Sequence, residues 1–162
     1  MTMRTLSSSA SISLFALALT LAPAGCGPIF TLDTPSGMIE LKDQGSYAYR
    51  AMTPDGVVLG VRVIEDAGKT DVAFWVQAVT LHMKELSGYA LLSSVDVTTA
   101  SGSAGKELRF GHDEAGTPYV YVVRIFVAPK HQLVIVEAGG AKDEMERNRP
   151  MVEAAMASVK LR

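Results

Sequence analysis

Cysteine is nearly absent from this chain of 162 residues, in which Cys26 stands alone. A single cysteine excludes an internal disulfide and a zinc site built from several thiolates. Histidine is also scarce, and His82, His112 and His131 do not have the i, i+4 spacing of a helical zinc motif. The sequence therefore predicts no metal and no other cofactor.

An excess of basic charge is absent too, since 15 lysines and arginines stand against 17 aspartates and glutamates. If residues 1–25 are removed, 14 basic and 17 acidic residues remain, which gives a formal charge of −3. A nucleic-acid-binding domain normally presents a basic face. The composition therefore argues against a nucleic-acid partner.

The N-terminal apolar run is too short to cross a membrane. It covers Ile12–Ala22 without a charge, whereas a spanning helix needs roughly 20 apolar residues. Arg4 and a serine-rich stretch precede it, an order typical of a secretory signal peptide. We expect residues 1–25 to be an export signal.

The end of this signal fits two processing routes. Ala22-Pro23-Ala24 matches the small-residue rule for ordinary cleavage, which would leave a secreted or periplasmic soluble protein after Ala24. Ala24-Gly25-Cys26 resembles the bacterial lipobox, in which the cysteine is diacylated and becomes the N-terminus, although Pro23 departs from that pattern.

An unpaired cysteine in an exported protein needs a reason, and lipidation supplies one. We therefore expect Cys26 to carry fatty acyl chains and to act as an anchor rather than a nucleophile. Gly27, in place of aspartate, resembles the pattern that sends lipoproteins to the outer membrane. The expected location is the cell envelope, lipid-anchored at the outer membrane and facing the periplasm.

The chain after the signal divides into a tether and one domain. Residues 27–37 contain two prolines and two glycines without periodicity. Residues 26–37 are therefore predicted to be the lipidated cysteine and a flexible tether of at most about 40 Å. Residues 38–162 have the length of a single domain with one core.

Six segments of this domain have strand patterns. A Thr53–Gly56 turn joins the first two as a hairpin, and short turns join the other four as an antiparallel meander. The fifth is apolar on both faces, which predicts a central strand whose Arg124 pairs with Glu107 or Glu137. The predicted strands are 46–52, 57–64, 90–98, 106–110, 119–127 and 132–138.

Two segments have helical periodicity. Residues 71–86 repeat apolar side chains at steps of three and four, with Thr70 as a candidate cap and Gly88 as a stop. The second covers about 141–159, and Pro150 is expected to kink or divide it near Arg149.

The order strand, strand, helix, four strands, helix predicts an α+β fold: an antiparallel sheet of about six strands flanked by two helices. This order resembles the PsbP-like superfamily of α/β/α sandwiches, which includes DcrB-like bacterial lipoproteins. The resemblance depends on "ELRFGHDEAGTPYVYVVRIFV" and "HQLVIVEAGGAKDEMERNRPMVEAAMASVKL", which are patterns of fold without a catalytic motif. It implies a binding or assembly accessory rather than an enzyme.

Two short matches to enzyme motifs do not have the required context. Gly68-Lys69-Thr70 matches the end of a P-loop, but Val63 stands where its first glycine belongs and acidic residues occupy the loop. Ser103-Ala104-Gly105-Lys106 spells S-x-x-K in a glycine-rich turn, without the companion motifs of penicillin-recognising enzymes. Neither match predicts a catalytic residue.

His112, Asp113 and Glu114 form the densest group of titratable residues. Their oxygens suit a cation, although a solvated turn between strands has the same composition. These three residues, together with Trp75, are the candidate ligand or partner surface.

The leading hypothesis is a membrane-anchored, non-catalytic accessory domain that binds a protein partner through its sheet edge or loops. A carrier of a small apolar ligand, with a cavity under Trp75, is the first alternative. A hydrolase that uses the Ser103 and His112 loops is the second. A deep pocket with His112 beside a nucleophile would favour the enzyme, and a dry cavity under Trp75 would favour the carrier.

Overall fold

The computed structural model describes residues 27–65, 71–85, 87–128 and 132–162. The predicted signal peptide, Cys26, the Thr70 cap, the Gly68-Lys69-Thr70 motif and His131 lie outside the described residues. Nine strands and three helices are present in the described ranges. The strands are β1 Phe30–Thr31, β2 Ile39–Glu40, β3 Tyr49–Met52, β4 Val58–Glu65, β5 Ala90–Thr98, β6 Ala104–Glu114, β7 Thr117–Ala128, β8 Gln132–Ala141 and β9 Lys160–Leu161. The helices are α1 Val72–Glu85, α2 Lys142–Arg147 and α3 Arg149–Ser158.

Seven strands form one sheet in the order β2-β3-β4-β8-β7-β6-β5. Every neighbouring pair in it is antiparallel. All six predicted strands are present, and β5 to β8 form the expected meander. The strand that the sequence did not predict in this sheet is β2, whose two residues are too few to show a period.

Helices cover both faces of the sheet. On one face, α1 contributes Met83 to a core with Leu108, Phe110 and Ile125. On the other face, α2 and α3 contribute Met145, Val152 and Met156 to a larger core that includes side chains of β3, β4, β7 and β8. The α+β sandwich that the sequence predicted is therefore confirmed.

The C-terminal helix is divided where Pro150 predicts a break. α2 ends at Arg147, α3 begins at Arg149, and Asn148 lies between them. Pro150 stands in the first turn of α3, where its missing N–H group costs no helical hydrogen bond.

The N-terminal segment differs from the predicted flexible tether. Phe30 and Thr31 pair with Leu161 and Lys160, and the side chains of Ile29 and Leu32 pack against the larger core. The N–H group of Arg162 also donates to the carbonyl of Ile29 over 3.0 Å. The prolines and glycines predicted a flexible segment, but the apolar side chains of Ile29, Phe30 and Leu32 attach it to the fold.

Candidate functional site

A groove of about 410 Å³ lies between α1 and the sheet. α1 packs mainly on β5, β6 and β7, and the groove lies beside it over β4 and β8. The wall, floor and rim of the groove are formed by Arg62, Ile64, Trp75, Ala78, Val79, His82, Met83, Tyr121, Val123, Ile135 and Glu137. Most of these side chains are apolar, so the groove is an apolar surface with a few polar groups.

Hydrogen bonds at both ends of α1 fix this wall of the groove. Oδ1 of Asp71 accepts the N–H group of Phe74 over 2.8 Å, as an N-cap does. After the last turn, Gly88 has a φ of +69°, and the N–H group of Tyr89 donates to the carbonyl of Met83 over 2.9 Å. The prediction that the helix stops at Gly88 is therefore confirmed. Trp75 and Met83, which belong to the predicted apolar stripe, face the groove.

A partly buried ion pair forms the polar part of the floor. Nε and Nη2 of Arg62 each lie 3.1 Å from Oε1 of Glu137. The two side chains come from neighbouring strands, β4 and β8, and Glu137 is only 7% exposed. Its carboxylate is therefore neutralised by a guanidinium inside largely apolar surroundings.

Tyr47 packs against the arginine of this ion pair. Nη2 of Arg62 donates to the hydroxyl of Tyr47, and the guanidinium carbon lies 4.2 Å from the centre of the tyrosine ring. The guanidinium carbon of Arg50 lies 5.0 Å from the same ring. Cation–π attraction therefore holds one aromatic ring against two arginines.

Two glycines make room for tyrosine rings on the sheet. A Cβ atom at Gly60 would lie 2.7 Å from Cε1 of Tyr47, and one at Gly139 would lie 2.5 Å from Cδ2 of Tyr121. Real Cβ atoms do not approach so closely, so the absent side chains let both rings lie flat on β4 and β8. Beside the groove, Tyr47, Tyr89, Tyr119 and Tyr121 line an adjoining depression of about 280 Å³.

Two phenols and one guanidinium at this site have raised pKa values. Burial raises the pKa of Tyr121, and the carboxylate of Glu137 raises it further. The pKa of Tyr47 is raised by burial and then by Glu137. Burial acts to lower the pKa of Arg62, but the charge of Glu137 and the Tyr47 hydroxyl outweigh it, so this pKa is raised. Both phenols therefore stay protonated, and Arg62 stays cationic.

Among the predicted surface residues, Trp75 lies in the groove and the histidine cluster lies elsewhere. The ring of His112 stacks on Tyr89 with centroids 4.8 Å apart, and its Nδ1 donates to the carbonyl of Gly88 over 3.1 Å. Oδ1 of Asp113 accepts the N–H group of Gly116 over 2.9 Å. His112 thus fixes the chain after α1, and Asp113 stabilises the β6–β7 turn.

Glu114 is exposed beside the same turn. Ala115 and Gly116 have φ values of 53° and 86°, as in a tight hairpin turn of the primed type. The described residues contain no group of three or more histidine, cysteine, aspartate or glutamate side chains placed to bind a metal. The local hydrogen bonds therefore favour a solvated turn at residues 112–116 over a cation site.

The Ser103 and His112 loops cannot supply one catalytic pair. They lie at opposite ends of β6, about 30 Å apart at roughly 3.3 Å per residue. A nucleophile and its base must lie within hydrogen-bond reach of each other. The N–H group of Ser103 instead donates to Oγ1 of Thr99 within the β5–β6 turn over 3.0 Å.

The sequence interpretation did not identify Tyr47, Arg62 or the role of Glu137. Two signals pointed to them: charged residues inside apolar strands, and glycines at strand-interior positions 60 and 139. A strand-interior glycine marks a close approach of another group. The identity of that group follows from the pairing of β4 with β8, which brings together residues far apart in the sequence.

No family model matches this chain, and no curated protein matches it. Several solved structures have a similar fold. LpqN of Mycobacterium tuberculosis, described as involved in cell envelope biogenesis, superposes with a TM-score of 0.69 at 15% identity, and 82% of each chain is covered. The Ran-binding protein Mog1p of Saccharomyces cerevisiae superposes with a TM-score of 0.58 at 12% identity, covering 82% of this chain and 90% of its own.

Cyanobacterial PsbP from Synechocystis sp. PCC 6803 superposes with a TM-score of 0.55 at 14% identity. The match covers 87% of this chain and 98% of that protein. Identities this low show the fold alone. The PsbP-like fold predicted from the sequence is confirmed by these structures.

Proposed function

On the premise of a PsbP-like fold, we propose that this chain is a non-catalytic binding protein that holds an apolar ligand between α1 and the sheet. The groove carries this proposal, because its volume of about 410 Å³ lies within the usual range of ligand sites. Trp75, Val79 and Ile135 supply apolar wall and floor, while Arg62 and Glu137 supply a few polar groups. Such a mixture is typical of small-molecule sites.

The lining of the groove favours binding over catalysis. No serine, cysteine, threonine or lysine lines it among the described residues. Arg62 and Glu137 form an ion pair with each other. The raised pKa of Tyr121 keeps its phenol protonated at neutral pH, so this group cannot act as a base there. We therefore infer that the ligand is bound rather than transformed.

The binding proposal is tested with the neutral fluorescent probe N-phenyl-1-naphthylamine and the mature protein. We expect its fluorescence to rise with saturation as protein is added. Ala78→Phe fills the groove and is expected to weaken binding at least about tenfold. Leu81→Phe, on the exposed side of the same helix, is the matched control and is expected to bind as the parent does. Equal binding by parent and Ala78→Phe would overturn the proposal.

We also propose that the protein is anchored in the cell envelope by acyl chains on Cys26, at the outer membrane facing the periplasm. The predicted export signal and the lone cysteine support this location, as does the fold shared with LpqN. None of the helices in the described ranges is both long and apolar enough to span a membrane. Because Ile29 already packs on the fold, the domain would lie within about 10 Å of the anchor.

Metabolic labelling tests the anchor. Labelled palmitate is expected on the parent protein and absent from Cys26→Ala. Parent protein that is cleaved after Ala24 and carries no label would overturn the anchor and support a soluble periplasmic protein.

A protein partner is the second candidate, favoured by the edge strand β5. Leu92 and Val95 on this strand are 59% and 48% exposed, and its single charge, Asp96, is bound by Lys106 at 2.8 Å. An exposed apolar edge suits an extended apolar segment that adds a strand to the sheet. The composition, with 15 basic and 17 acidic residues, argues against a nucleic-acid partner.

The partner surface is tested by a photo-crosslinking residue at Ser93 in living cells. A discrete crosslinked partner is expected with the parent strand and lost in Val95→Lys. The control is Lys84→Glu, a change on an exposed side chain of α1. Loss of the crosslink in both variants, or in neither, would contradict docking on β5.

A further inference from the structure

The N-terminal segment joins the domain at one end of the seven-stranded sheet. Gly27 lies beside Arg162, since a Cβ atom on this glycine would be 2.8 Å from Nη1 of the arginine. The strand β1 that follows pairs with β9, and the N–H group of Leu161 in β9 donates to Oγ of Ser101 over 2.9 Å. Ser101 belongs to the β5–β6 turn. The chain therefore enters the domain at the end of the sheet that carries this turn, which we call the entry end.

The strand pairings place one end of the groove at the same entry end. One row of directly paired residues crosses five strands: Val63, Val134, Phe126, Gly105 and Val97. The next residue along β4 is Ile64, and the next along β5 is Thr98, which ends its strand just before the β5–β6 turn. Because Ile64 lines the groove, the groove reaches the entry end.

Helix α1 runs along the groove from the entry end to the opposite end of the sheet. Its first residues, Val72 and Ala73, line a surface depression together with Gly105 at the start of β6. After its last turn, the carbonyl of Gly88 is bound by Nδ1 of His112, near the other end of β6. The start of α1 therefore lies at the entry end.

The groove is apolar at the entry end and more polar away from it. Ile64 and Trp75, in the first turn of α1, line its first part. Glu137 stands four residues along β8 from Leu133, the partner of Ile64, which is about 13 Å at roughly 3.3 Å per residue. Tyr121 pairs two residues farther along β8, at about 20 Å. The carboxylate and the phenol therefore lie in the part of the groove that is distant from the entry end.

This order of apolar and polar groups matches the orientation of a lipid in a membrane. A bilayer lipid has its polar head at the surface and its apolar chains in the hydrocarbon core. If Cys26 is held in a bilayer by acyl chains, the entry end faces that bilayer, because Gly27 follows the anchor directly. A lipid that rises from the bilayer into the groove would then place its head toward Tyr121 and leave its chain beside Ile64 without turning over.

We infer that the ligand is a lipid of the bilayer to which the protein is anchored, and that it enters the groove through the entry end. Its acyl chain lies beside Ile64 and Trp75, and its head points away from the membrane. This inference rests on both parts of the proposed function, the groove and the anchor, and it names the ligand class and the direction of entry.

The lone cysteine allows the direction of entry to be tested, because the anchor can be attached chemically at a chosen position. Mature protein is coupled through Cys26 to a maleimide-bearing phospholipid in phosphatidylcholine vesicles. The matched variant Cys26→Ser/Glu114→Cys is coupled in the same way at the β6–β7 turn, at the opposite end of the sheet. Both proteins have the same groove, but only the first holds its entry end toward the bilayer.

Trp75 reports the entry of a lipid, because phosphatidylcholine with brominated acyl chains quenches a tryptophan that it contacts. We expect quenching at least about threefold greater with the anchor at Cys26 than at position 114, since tethering favours binding only where the geometry lets the site reach its ligand. Ala78→Phe, anchored at Cys26, is expected to lose this quenching because its groove is filled. Leu81→Phe, on the exposed side of α1, is expected to keep it.

The outcomes separate this inference from the proposed function. Equal quenching with the two anchors would overturn entry from the entry end while leaving groove binding in place. Quenching that persists in Ala78→Phe would show that Trp75 touches the bilayer itself, and it would overturn the lipid in the groove. Failure of the neutral probe to bind the parent protein, or of palmitate to label Cys26 in cells, would instead overturn the corresponding part of the proposed function.

Discussion

Arg124 and Glu107 lie directly opposite each other on β7 and β6, and Nε of Arg124 donates to Oε2 of Glu107 over 2.7 Å. Their side chains are only 13% and 19% exposed. The pair lies on the face covered by α2 and α3, whereas Arg62 and Glu137 lie on the face of α1. These two cross-strand ion pairs therefore lie on opposite faces of the sheet.

Removing one partner of the Arg124–Glu107 pair is expected to destabilise the protein. In Arg124→Met, the carboxylate of Glu107 stays partly buried without its cation, which should lower the free energy of unfolding by about 2–4 kcal/mol. Replacing both, in Arg124→Met/Glu107→Met, should recover most of this loss, because no unpaired charge remains. Urea denaturation followed by circular dichroism measures both variants.

The matched control for this prediction is Arg149→Met. Arg149 lies 3.6 Å from Glu146, but both side chains are exposed, so the change should cost less than about 0.5 kcal/mol. A loss in Arg124→Met no larger than in Arg149→Met would show that burial does not strengthen the Arg124–Glu107 interaction.

This pair also shows what strand alternation can predict. The period of two in residues 119–127 placed Arg124 on a buried face and left Glu107 or Glu137 as its partner. The register decides between them, because Glu107 pairs with Arg124 while Glu137 pairs with Val123 and so faces α1. The local sequence pattern is enough to predict the strands and which face each side chain occupies. The register between strands, by contrast, requires knowledge of the whole sheet.

The groove was less predictable than the fold for the same reason. Trp75 was identified from the apolar stripe of α1, but the opposite wall depends on β3, β4 and β8, which meet through pairings that no local pattern encodes. The two-residue strands β1 and β9 were missed because two residues show no period, although they attach residues predicted as a tether. Gly60 has no side chain, which leaves room for the ring of Tyr47. No sequence pattern predicts which residue fills that room.

Adding a methyl group at Gly60 is expected to displace Tyr47. The new Cβ atom would lie 2.7 Å from the ring, so Gly60→Ala should move the ring off β4 and cost about 1–3 kcal/mol in unfolding free energy. Because Tyr47 lines the depression beside the groove, binding of the neutral probe should also weaken. Titration of the neutral probe and urea denaturation check the two effects.

Gly111→Ala is the control for that substitution. Its Cβ atom would meet the exposed side chain of Leu92 at 3.1 Å, and this flexible side chain can move aside. We expect a smaller loss of stability and unchanged binding of the probe. Unchanged binding of the probe by Gly60→Ala, together with the expected loss of stability, would show that the position of Tyr47 does not affect ligand binding.

Asp55 is expected to make stability depend on pH in the acid range. Hydrogen bonds from Thr53 and then Asn148 lower the pKa of its carboxyl from 3.8 to about 2. Because the folded-state pKa lies below that of the unfolded chain, Asp55 contributes stability above about pH 4, and this contribution is lost as the pH falls through about 2. Asp55→Asn should therefore have a shallower pH dependence than the parent between pH 4 and 2.

Urea denaturation at a series of pH values measures this difference. The pKa of Glu144 is raised by its hydrogen bond with Asp55, which acts in the opposite direction at higher pH, so the comparison belongs below pH 4. Equal slopes for parent and Asp55→Asn in that range would show that the hydrogen bonds to Asp55 do not stabilise the folded protein.

Trp75 is expected to report directly on the ligand. It is the only tryptophan of the chain and lines the groove under α1, where its ring meets Phe74 at a centroid distance of 5.3 Å. A twelve-carbon tail in the groove would replace water beside the indole, so the emission should shift to shorter wavelength and acrylamide should quench it less. Laurate should produce this change at the concentrations that displace the neutral probe, and Ala78→Phe should prevent it. If laurate displaces the probe while the emission of Trp75 stays unchanged, the tail does not lie under α1, and the site of binding must be sought elsewhere on the protein.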